Sequence, residues 1–311
     1  MNEAQMTTVE VSTSPVKLWM AAIKPPMYSV AVMPIWVGTA MAIAQTERFD
    51  RGIFLTFLSS AIAILAWLNL SNDVFDSETG IDKNKAHSIV NLTGNKSLIF
   101  GLANVLLGLG ILGILMISWW QQDPTVVAIV IVCCALGYTY QGPPFRLGYL
   151  GLGEIICFFA FGPFAVAAAY YSQTQSWTAV GASGLLPLVV ASVFIGITTS
   201  LILFCSHFHQ VEDDLAAGKR SPIVRMGTAN GARLLPWLTG IPFVAIAASV
   251  AFGILPVPTL LTFASLPFAI HLCRHVGANH DKPNLVSNCK FIAVRLHFVS
   301  GLLLGWGLIQ S

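Results

Sequence analysis

The sequence predicts an all-α protein, a polytopic membrane helical bundle of about nine transmembrane helices around a central cavity that opens to the cytoplasmic side. Two observations predict this class. Hydrophobic residues make up 55% of the 311 residues and charged residues only 10%, against roughly 25% charged in soluble domains. The apolar residues also collect in runs of about 20, the length with which a helix crosses a hydrocarbon core of about 30 Å.

The apolar runs define nine predicted spans, of which the fourth is the shortest. They lie at residues 26–45, 53–75, 97–118, 125–141, 152–171, 185–209, 234–254, 257–276 and 291–310. Residues 1–16 are polar and lack the basic lead and apolar core of a cleaved signal peptide. We therefore expect a polar N-terminal tail over 1–16 and a single transmembrane domain over 17–311, whose first helix directs insertion.

The positions of lysine and arginine predict the orientation of the bundle. With the N-terminus in the cytoplasm, thirteen of the sixteen fall on the cytoplasmic side, Arg48 and Arg51 face outward, and Arg295 lies inside the last span. Arg295 has two open interpretations, a functional intramembrane charge or a side chain that snorkels to the membrane edge. The long polar segments share the cytoplasmic side, where we expect the activity: 76–96, 142–151, 210–233 and 277–290.

Composition also excludes some classes of function. The formal net charge is +2 and no basic strip with interleaved aromatic residues occurs, which argues against a nucleic-acid partner. The six cysteines lie in or beside apolar runs without a CxxC pair, so we interpret them as reduced core residues. They are Cys133, Cys134, Cys157, Cys205, Cys273 and Cys289.

A first polar group closes the second span. On a helix, Asn69, Asp73 and Asp76 occupy positions i, i+4 and i+7, so their oxygen atoms gather on one face. Asn72 stands beside them. Hard oxygen ligands without a basic residue among them are typical of a Mg²⁺ site, and such an ion is commonly shared with a substrate phosphate.

A second acidic group closes the sixth span, about 140 residues later. Gln210, Asp213 and Asp214 occupy positions i, i+3 and i+4, which predicts that they share one helical face with His207 one turn earlier on it, whereas Glu212 points to another side. A single acidic group of this kind is most simply explained as a solvated loop. Two acidic groups in matching positions favour a binding site instead. Basic residues follow both groups, and together they predict a diphosphate site. These are Lys83 and Lys85, then Lys219 and Arg220.

The segment Asn72-Asp73-Val-Phe-Asp76-Ser-Glu-Thr-Gly80 resembles the NDxxDxxxG signature of the UbiA-type membrane prenyltransferases. The nine-span plan with a second motif after the sixth span is similar to theirs as well. Three further stretches resemble the branch that prenylates 1,4-dihydroxy-2-naphthoate: Trp19 to Pro26, Gly142 to Glu154, and Gly218 to Pro222. Residues 87–94 resemble the version in oxygenic phototrophs, in which phytyl diphosphate is the donor.

The resemblance implies Mg²⁺-dependent transfer of a phytyl group, or a longer prenyl group, from its diphosphate to an aromatic naphthoate acceptor. Carbon dioxide and diphosphate are lost in this step of phylloquinone or menaquinone biosynthesis. It also implies a multi-pass protein that contacts membrane lipid, in a bacterial inner or thylakoid membrane. An apolar groove would hold the lipid tail, and a dry cavity would keep water from the allylic cation.

The resemblance further implies roles for individual residues. Asp73, Asp76 and Asp214 are the implied catalytic carboxylates. The implied metal ligands are Asn69, Asn72, Asp73, Asp76, Gln210, Asp213 and Asp214. The implied diphosphate ligands are Lys83, Lys85, Lys219 and Arg220, and acceptor binding is implied for Lys24, Arg146 and Tyr140. One departure from the family stands at Gln210, which replaces the first Asp of the second DxxxD motif with an uncharged amide.

Other interpretations remain. A homogentisate prenyltransferase, or another aromatic prenyltransferase of the superfamily, would share the first motif and the chemistry. A secondary transporter would carry its acids near the bilayer midplane on inverted repeats, and the sequence shows no such repeat. Glu154 can complement the N-terminal end of the fifth helix, a base role for His207 is not favoured, and His297 is interpreted as a packing residue.

Overall fold

A computed structural model describes residues 23–81, 88–177 and 185–310, together with Met20. Within these ranges every regular element is a helix and no strand occurs. Eight described helices are long and apolar enough to cross a membrane, and a ninth, Thr125–Gln141, is apolar but shorter. The predicted all-α bundle is confirmed, and the chain is an integral membrane protein.

The nine spanning helices are labelled α1 to α9 in chain order. Their bounds are Ser29–Thr46, Arg51–Thr79, Lys96–Gln121, Thr125–Gln141, Gly153–Thr174, Leu186–Ser206, Thr228–Ala251, Leu266–Asn279 and Cys289–Ile309. The predicted spans overlap all nine. The largest shift is at α8, which begins nine residues after the predicted residue 257 because a 3₁₀ helix covers Val257–Ser265. Helix α7 begins six residues before the predicted residue 234 and so takes Arg233 into the helix.

Local sequence signals explain where these helices begin and end. The Asp50 side chain accepts a hydrogen bond from the Ile53 amide at the start of α2, and the Asn95 side chain accepts one from Leu98 at the start of α3. Such N-caps satisfy amides that the first helical turn leaves unpaired. Gly80 adopts a left-handed conformation (φ 76°) and ends α2, as glycine commonly does at a helix C-terminus.

The length of α2 decides where its polar residues lie. Its 29 residues extend about 43 Å at about 1.5 Å per residue, which exceeds the roughly 30 Å of hydrocarbon in a bilayer. The surplus carries residues 69–81 to one end of the bundle, where residues 206–220 also lie. We term this the motif end. Arg48 and Arg51 lie at the opposite end, where α1 joins α2.

Close helix contacts hold the bundle together. Gly162 of α5 crosses Gly196 of α6 so closely that an added Cβ on Gly162 would stand 2.7 Å from the Gly196 Cα atom. Gly162 lies in a π-helical turn, Ala160–Phe164, which also contains Pro163. Small residues allow such approaches between membrane helices, and π-helical turns are frequent at functional sites.

A buried histidine links three helices. His297 of α9 is fully buried; its Nδ1 atom lies 3.0 Å from the Thr198 hydroxyl of α6, and its Nε2 atom 3.4 Å from the Ser29 carbonyl of α1. These contacts agree with the predicted packing role. Arg295 on the same helix is exposed, as the snorkelling interpretation requires.

Some predictions fall on residues that the structure does not describe. The polar tail over residues 1–16 lies outside the described ranges, and so do Lys83 and Lys85. The assignment of residues 17–311 to a single domain stays a prediction.

Candidate active site

The two acidic groups meet in one polar cavity of about 180 Å³ at the motif end. We term it the acidic cavity. All the predicted metal ligands line it: Asn69, Asn72, Asp73, Asp76, Gln210, Asp213 and Asp214. Lys24, Lys219 and Tyr140 line it too. Two segments some 140 residues apart thus contribute carboxylates to the same small volume.

The first motif lies on the regular helix α2, and each of its carboxylates has partners from elsewhere. Asp73 is buried; Lys24 Nζ lies 3.1 Å from its Oδ1 atom, and the Ile89 amide donates to its Oδ2 atom at 3.1 Å. Asp76 Oδ1 accepts a hydrogen bond from Gln141 Nε2 at 2.8 Å, at the last residue of α4. Both carboxylates are therefore held in place before any ligand binds.

Tyr149 lies beside Asp76 in the 3₁₀ turn Leu147–Leu150. Its hydroxyl lies 2.7 Å from the Thr79 hydroxyl and donates to Asp76 Oδ1 at 3.4 Å. The pKa of Tyr149 is raised to about 12, chiefly by burial; the Thr79 hydrogen bond lowers this pKa and the neighbouring Asp76 charge raises it, and the value includes both effects. The phenol therefore stays protonated as a donor throughout the neutral range.

Lys24 reaches Asp73 from an unusual backbone position. It adopts a left-handed conformation (φ 53°) immediately before Pro25. Residues other than glycine rarely adopt this conformation, and when it persists it often marks a functional site. The conformation and the ion pair together hold the ammonium group at the wall of the acidic cavity.

The second motif differs from its predicted helical face. Helix α6 ends at Ser206, a 3₁₀ turn covers His207–His209, and a separate short helix covers Val211–Ala216. The prediction of one continuous helical face is wrong here, because Gln210 lies between helices (φ −113°, ψ 12°). His207 nevertheless reaches Asp214, with 3.1 Å between Nδ1 and Oδ2.

Asp214 is fully buried at the centre of a small charged network. His207 Nδ1 and Lys219 Nζ lie 3.1 and 3.2 Å from its two carboxylate oxygens, and His207 Nε2 lies 3.4 Å from Glu154 Oε1 on α5. Burial alone would raise the pKa of Asp214, but the His207 hydrogen bond and the Lys219 charge lower it below its usual value. Asp214 is thus held as a carboxylate.

Not every predicted ligand reaches the acidic cavity. Arg220 is exposed, and its amide donates to the Tyr149 carbonyl at 2.8 Å, which fixes its backbone outside the cavity wall. Arg146 donates to Glu78 at 3.3 Å and likewise does not line the cavity. The structure therefore supplies Lys24 and Lys219 as the cations of this cavity, within the described residues.

The donor chemistry of the cavity fits Mg²⁺. Four carboxylates and two ammonium groups line it, which leaves a formal charge of −2 in the described wall. No three His, Cys, Asp or Glu side chains in the described ranges lie close enough to hold an ion by themselves. An ion would therefore take one or two carboxylates and amide oxygens from a motif and share phosphate oxygens with a substrate, as Mg²⁺ commonly does.

A second, apolar cavity of about 260 Å³ extends from the acidic cavity into the bundle. We term it the apolar chamber. Helices α1, α2, α4, α5 and α6 form most of its wall, including the π-helical turn of α5. Five residues line both cavities and form the junction between them: Asn69, Asn72, Tyr140, Leu203 and Ser206.

Sequence reasoning missed the supporting contacts of several residues that shape the site. Gln141 and Tyr149 contact Asp76, His207 contacts Asp214 and is itself contacted by Glu154, and Lys290 lines the apolar chamber. The sequence did offer one indication that Gln141 belongs to the site, since it is a polar residue at the very end of an apolar span. The other contacts join segments that are distant in sequence.

The fold and the two-motif site define a class of membrane transferase. The model of the UbiA prenyltransferase family matches residues 31–294. The chain belongs to this family.

Two relatives and one solved structure show which members of the family the chain is similar to. The chain is 58% identical to the 2-carboxy-1,4-naphthoquinone phytyltransferase of Synechocystis sp. over 302 residues, which cover 95% of each protein. It is 42% identical to the chloroplastic 2-carboxy-1,4-naphthoquinone phytyltransferase of Arabidopsis thaliana, over 94% of this chain and 77% of the relative. A solved UbiA homolog from Archaeoglobus fulgidus, bound to DMAPP and Mg²⁺, shares the fold: its TM-score is 0.62 at 16% identity, over 94% of this chain and 99% of that one.

Proposed function

We propose that this protein transfers a phytyl group from phytyl diphosphate to the ring of a 2-carboxy-1,4-naphthoquinone or 1,4-dihydroxy-2-naphthoate acceptor. Diphosphate and CO₂ leave in the same overall reaction. The relative at 58% identity, a 2-carboxy-1,4-naphthoquinone phytyltransferase, supports this choice of substrates. The product would be a prenylated naphthoquinone of phylloquinone biosynthesis.

One observation carries the proposal: the acidic cavity opens into the apolar chamber through five shared residues. A prenyl diphosphate has the same division, with a charged head and a long hydrocarbon tail. With its head among the carboxylates and lysines, its tail enters the chamber. The carbon that reacts then lies at the junction, beside Asn69, Tyr140 and Ser206.

The charge of the described cavity wall favours a divalent ion for this substrate. The described residues of the wall carry a formal charge of −2, which repels a diphosphate unless cations intervene, because unpaired charges in a confined site are costly. Bound Mg²⁺ would neutralise the charge that develops on the leaving diphosphate. Asp73, Asp76 and Asn72 would hold it at the first motif, and Gln210, Asp213 and Asp214 at the second.

The lysines complete the diphosphate site. Lys219 Nζ lies 3.2 Å from Asp214 and Lys24 Nζ lies 3.1 Å from Asp73, so each ammonium group stands beside a proposed metal ligand. We assign them to the phosphate oxygens, where a compact charge with several donors is effective. The apolar chamber excludes water from the allylic carbon, so that the acceptor ring reacts first.

We place the motif end in the cytoplasm. Thirteen of the sixteen lysines and arginines fall on that side of the predicted topology, whereas Arg48 and Arg51 lie at the opposite end. Positive charge accumulates on cytoplasmic loops. A cysteine introduced at the exposed Glu212 should react with a membrane-impermeant maleimide in inside-out vesicles and resist it in right-side-out vesicles. The reverse pattern would refute the orientation.

The activity is tested with full-length protein in lipid nanodiscs and phytyl diphosphate as donor. Dihydroxynaphthoate, 2-carboxy-1,4-naphthoquinone and homogentisate are offered separately, with Mg²⁺ and with EDTA. We expect prenylated product from a naphthoate acceptor, and its loss on chelation. Product from homogentisate alone would identify a different branch of the family. Turnover that survives EDTA would refute the metal-dependent mechanism, and the absence of product from every acceptor would refute phytyl transfer to this class of acceptor.

A further inference from the structure

We propose that Phe57 closes the far end of the apolar chamber and limits the donor to a tail about as long as phytyl. This inference rests on the proposed function and deepens it, because it names the residue that selects the length of the prenyl group. Phe57 lies on α2, twelve residues before Asn69, which is one of the junction residues.

One face of α2 lines the chamber along its length. Its chamber residues include Phe57, Ala61, Ile64, Leu68 and Asn72. These positions recur every three or four residues, which is the period of one helical face. Because α2 is a regular helix over Arg51–Thr79, the twelve residues from Phe57 to Asn69 span about 18 Å at about 1.5 Å per residue. That distance is the length of the chamber wall between the junction and Phe57.

Neighbouring helices stop lining the chamber at matching residues. Helix α1 runs away from the motif end and its last lining residue is Ile35, whereas α4 runs toward the motif end and its first lining residue is Val130. Ile35, Phe57 and Val130 are each at most 5% exposed and belong to one buried hydrophobic cluster. The cluster also contains the fully buried Ile117 and Ala169. Among the described residues, the far end of the chamber is therefore closed by packed side chains.

The length of the wall matches the phytyl group. An extended phytyl main chain of about 16 carbons reaches about 19 Å, because a zigzag of C–C bonds about 1.5 Å long advances about 1.25 Å per bond. In the proposed function the reacting carbon lies at the junction, so the last carbons of phytyl reach Phe57.

A longer donor meets the closed end of the chamber. One more isoprenoid unit adds about 5 Å to the extended tail by the same measure. The added carbons then contact the buried ring of Phe57, where a closely packed core resists an extra group. Ala61 lies one helical turn nearer to the junction on the same face and presents only a methyl group, so the tail passes it.

The kinetic test changes side-chain size at these two levels of α2. Donors are compared as ratios of kcat/KM with the same naphthoate acceptor. We expect Phe57→Ala to raise the ratio of geranylfarnesyl diphosphate to phytyl diphosphate at least about 10-fold, since one methylene of fit in an apolar pocket changes rates about 10- to 200-fold. Ala61→Phe should lower the ratio of phytyl diphosphate to geranyl diphosphate by a similar factor. Each ratio compares two donors in one preparation, so a loss of folded protein cancels.

Ile117→Ala is the matched control. It removes a buried side chain of the same cluster from α3, which does not belong to the described chamber wall, and it should leave both ratios within about twofold of wild type. An unchanged ratio in Phe57→Ala would refute the inference. Equal use of geranylfarnesyl and phytyl diphosphate by wild-type protein would refute it too, because the tail would then leave the chamber between the helices.

A cross-linking test removes the dependence on turnover. The probe is a phytyl thiodiphosphate whose last isoprenoid unit carries a diazirine, bound with Mg²⁺ to wild-type protein in nanodiscs. On irradiation we expect cross-links at the level of Phe57 and Val130, located by mass spectrometry and suppressed by excess phytyl diphosphate. Cross-links to lipid alone, or to residues outside the far end of the chamber, would refute the inference.

These tests separate the two proposals. If wild-type protein prenylates no naphthoate with phytyl diphosphate, the proposed function fails, and the cross-link still reports where a donor tail lies. If it prenylates a naphthoate and uses geranylfarnesyl diphosphate equally well, the function stands and Phe57 does not limit the tail.

Discussion

The first acidic motif ends an unbroken helix of 29 residues, whereas the second lies on a 3₁₀ turn and a short helix that follow α6. Both deliver carboxylates to the same cavity. On α2 the backbone itself sets the spacing of Asp73 and Asp76. After α6 the chain passes through a 3₁₀ turn and a separate short helix. There His207 and Lys219 contact the buried Asp214, and Glu154 contacts His207.

The difference shows two ways to preorganise a metal-binding site. A regular helix places ligands by periodicity and requires modest help from neighbours. A broken segment leaves its ligands free to rotate unless a second layer of side chains orients them. Substitutions of the ligands themselves should therefore be costly in both motifs, whereas substitutions of supporting residues should cost more at the second motif.

The largest effect is expected at a ligand of the first motif. Asp76→Asn removes a carboxylate charge from the acidic cavity while Gln141 and Tyr149 can still contact the side chain. We expect kcat to fall about 100- to 1000-fold, the usual cost of losing one stabilising group at a developing charge. Turnover with phytyl diphosphate and the naphthoate acceptor is the measurement.

Glu78→Gln is the control for Asp76→Asn. Glu78 lies on the same helix but forms ion pairs with Lys96 and Arg146 at distances of 2.6 and 3.3 Å and does not line the cavity. Its substitution should leave kcat within about twofold, because exposed ion pairs contribute little. If Asp76→Asn kept half of the wild-type rate, the first motif would not hold the essential ion.

The next effect distinguishes the two motifs through a supporting residue. His207→Ala removes the partner of Asp214 Oδ2 without removing a ligand. We expect the Mg²⁺ concentration for half-maximal rate to rise about 10- to 100-fold, as for other residues that orient metal ligands. Mn²⁺ binding, followed by electron paramagnetic resonance without substrates, should weaken to a similar degree.

His207→Asn separates positioning from folding. An Asn amide can occupy the place of Nδ1 and donate to Asp214, although it cannot reach Glu154. We expect it to recover most of the metal affinity that His207→Ala loses. Equal affinities in the two variants would mean that the hydrogen bond to Asp214 does not orient the ligand.

A smaller effect is expected where the second motif lacks a charge. Gln210→Asp adds a carboxylate to the cavity wall, and metal affinity rises with the number of charged ligands. We expect half-maximal activity at a Mg²⁺ concentration about five- to tenfold lower, measured by titration of metal-stripped protein. Glu212→Gln, an exposed neighbour outside the cavity, serves as the control. An unchanged titration curve would show that residue 210 does not contact the ion.

The smallest effect is expected from a supporting residue of the first motif. Tyr149→Phe removes a hydroxyl 3.4 Å from Asp76, longer than an ordinary O–H···O hydrogen bond. We expect kcat to fall about twofold, since Gln141 still holds Asp76. Because burial raises the pKa of Tyr149 to about 12, the pH profiles of the variant and the wild type should coincide from about pH 7 to 10. A tenfold loss would mean that the helix alone does not set the first motif.

The sequence was sufficient for the features that depend on local periodicity. The nine spans follow from apolar runs, and the shared face of Asp73 and Asp76 follows from helical spacing on a segment that is indeed helical. At the second motif the same reasoning failed, because a helix break between Ser206 and Val211 has no strong local signal such as glycine or proline.

The contacts that support the metal ligands could not be predicted from the sequence, because they depend on how the helices pack. Gln141 reaches Asp76 across 65 positions of sequence, and His207 reaches Glu154 on a different helix. No periodicity within one segment relates such residues. The position of Arg220 outside the acidic cavity also depends on a contact between distant segments, since its backbone amide donates to the Tyr149 carbonyl. The chamber position of Lys290 depends on how α9 packs against α6.

The crossing of Gly162 and Gly196 has a consequence for how the protein accommodates hydrocarbon tails of different length. Because the two backbones touch there, α5 and α6 form a stiff side of the chamber that cannot yield by rotating a side chain. Across the chamber, the three atoms nearest to a Cβ added on Gly137 of α4 all belong to the side chain of Leu68, which can change rotamer. A bulkier tail would therefore bind only if the side of the chamber formed by α2 and α4 moves outward. That side of the chamber would then set the longest donor tail that the protein can bind.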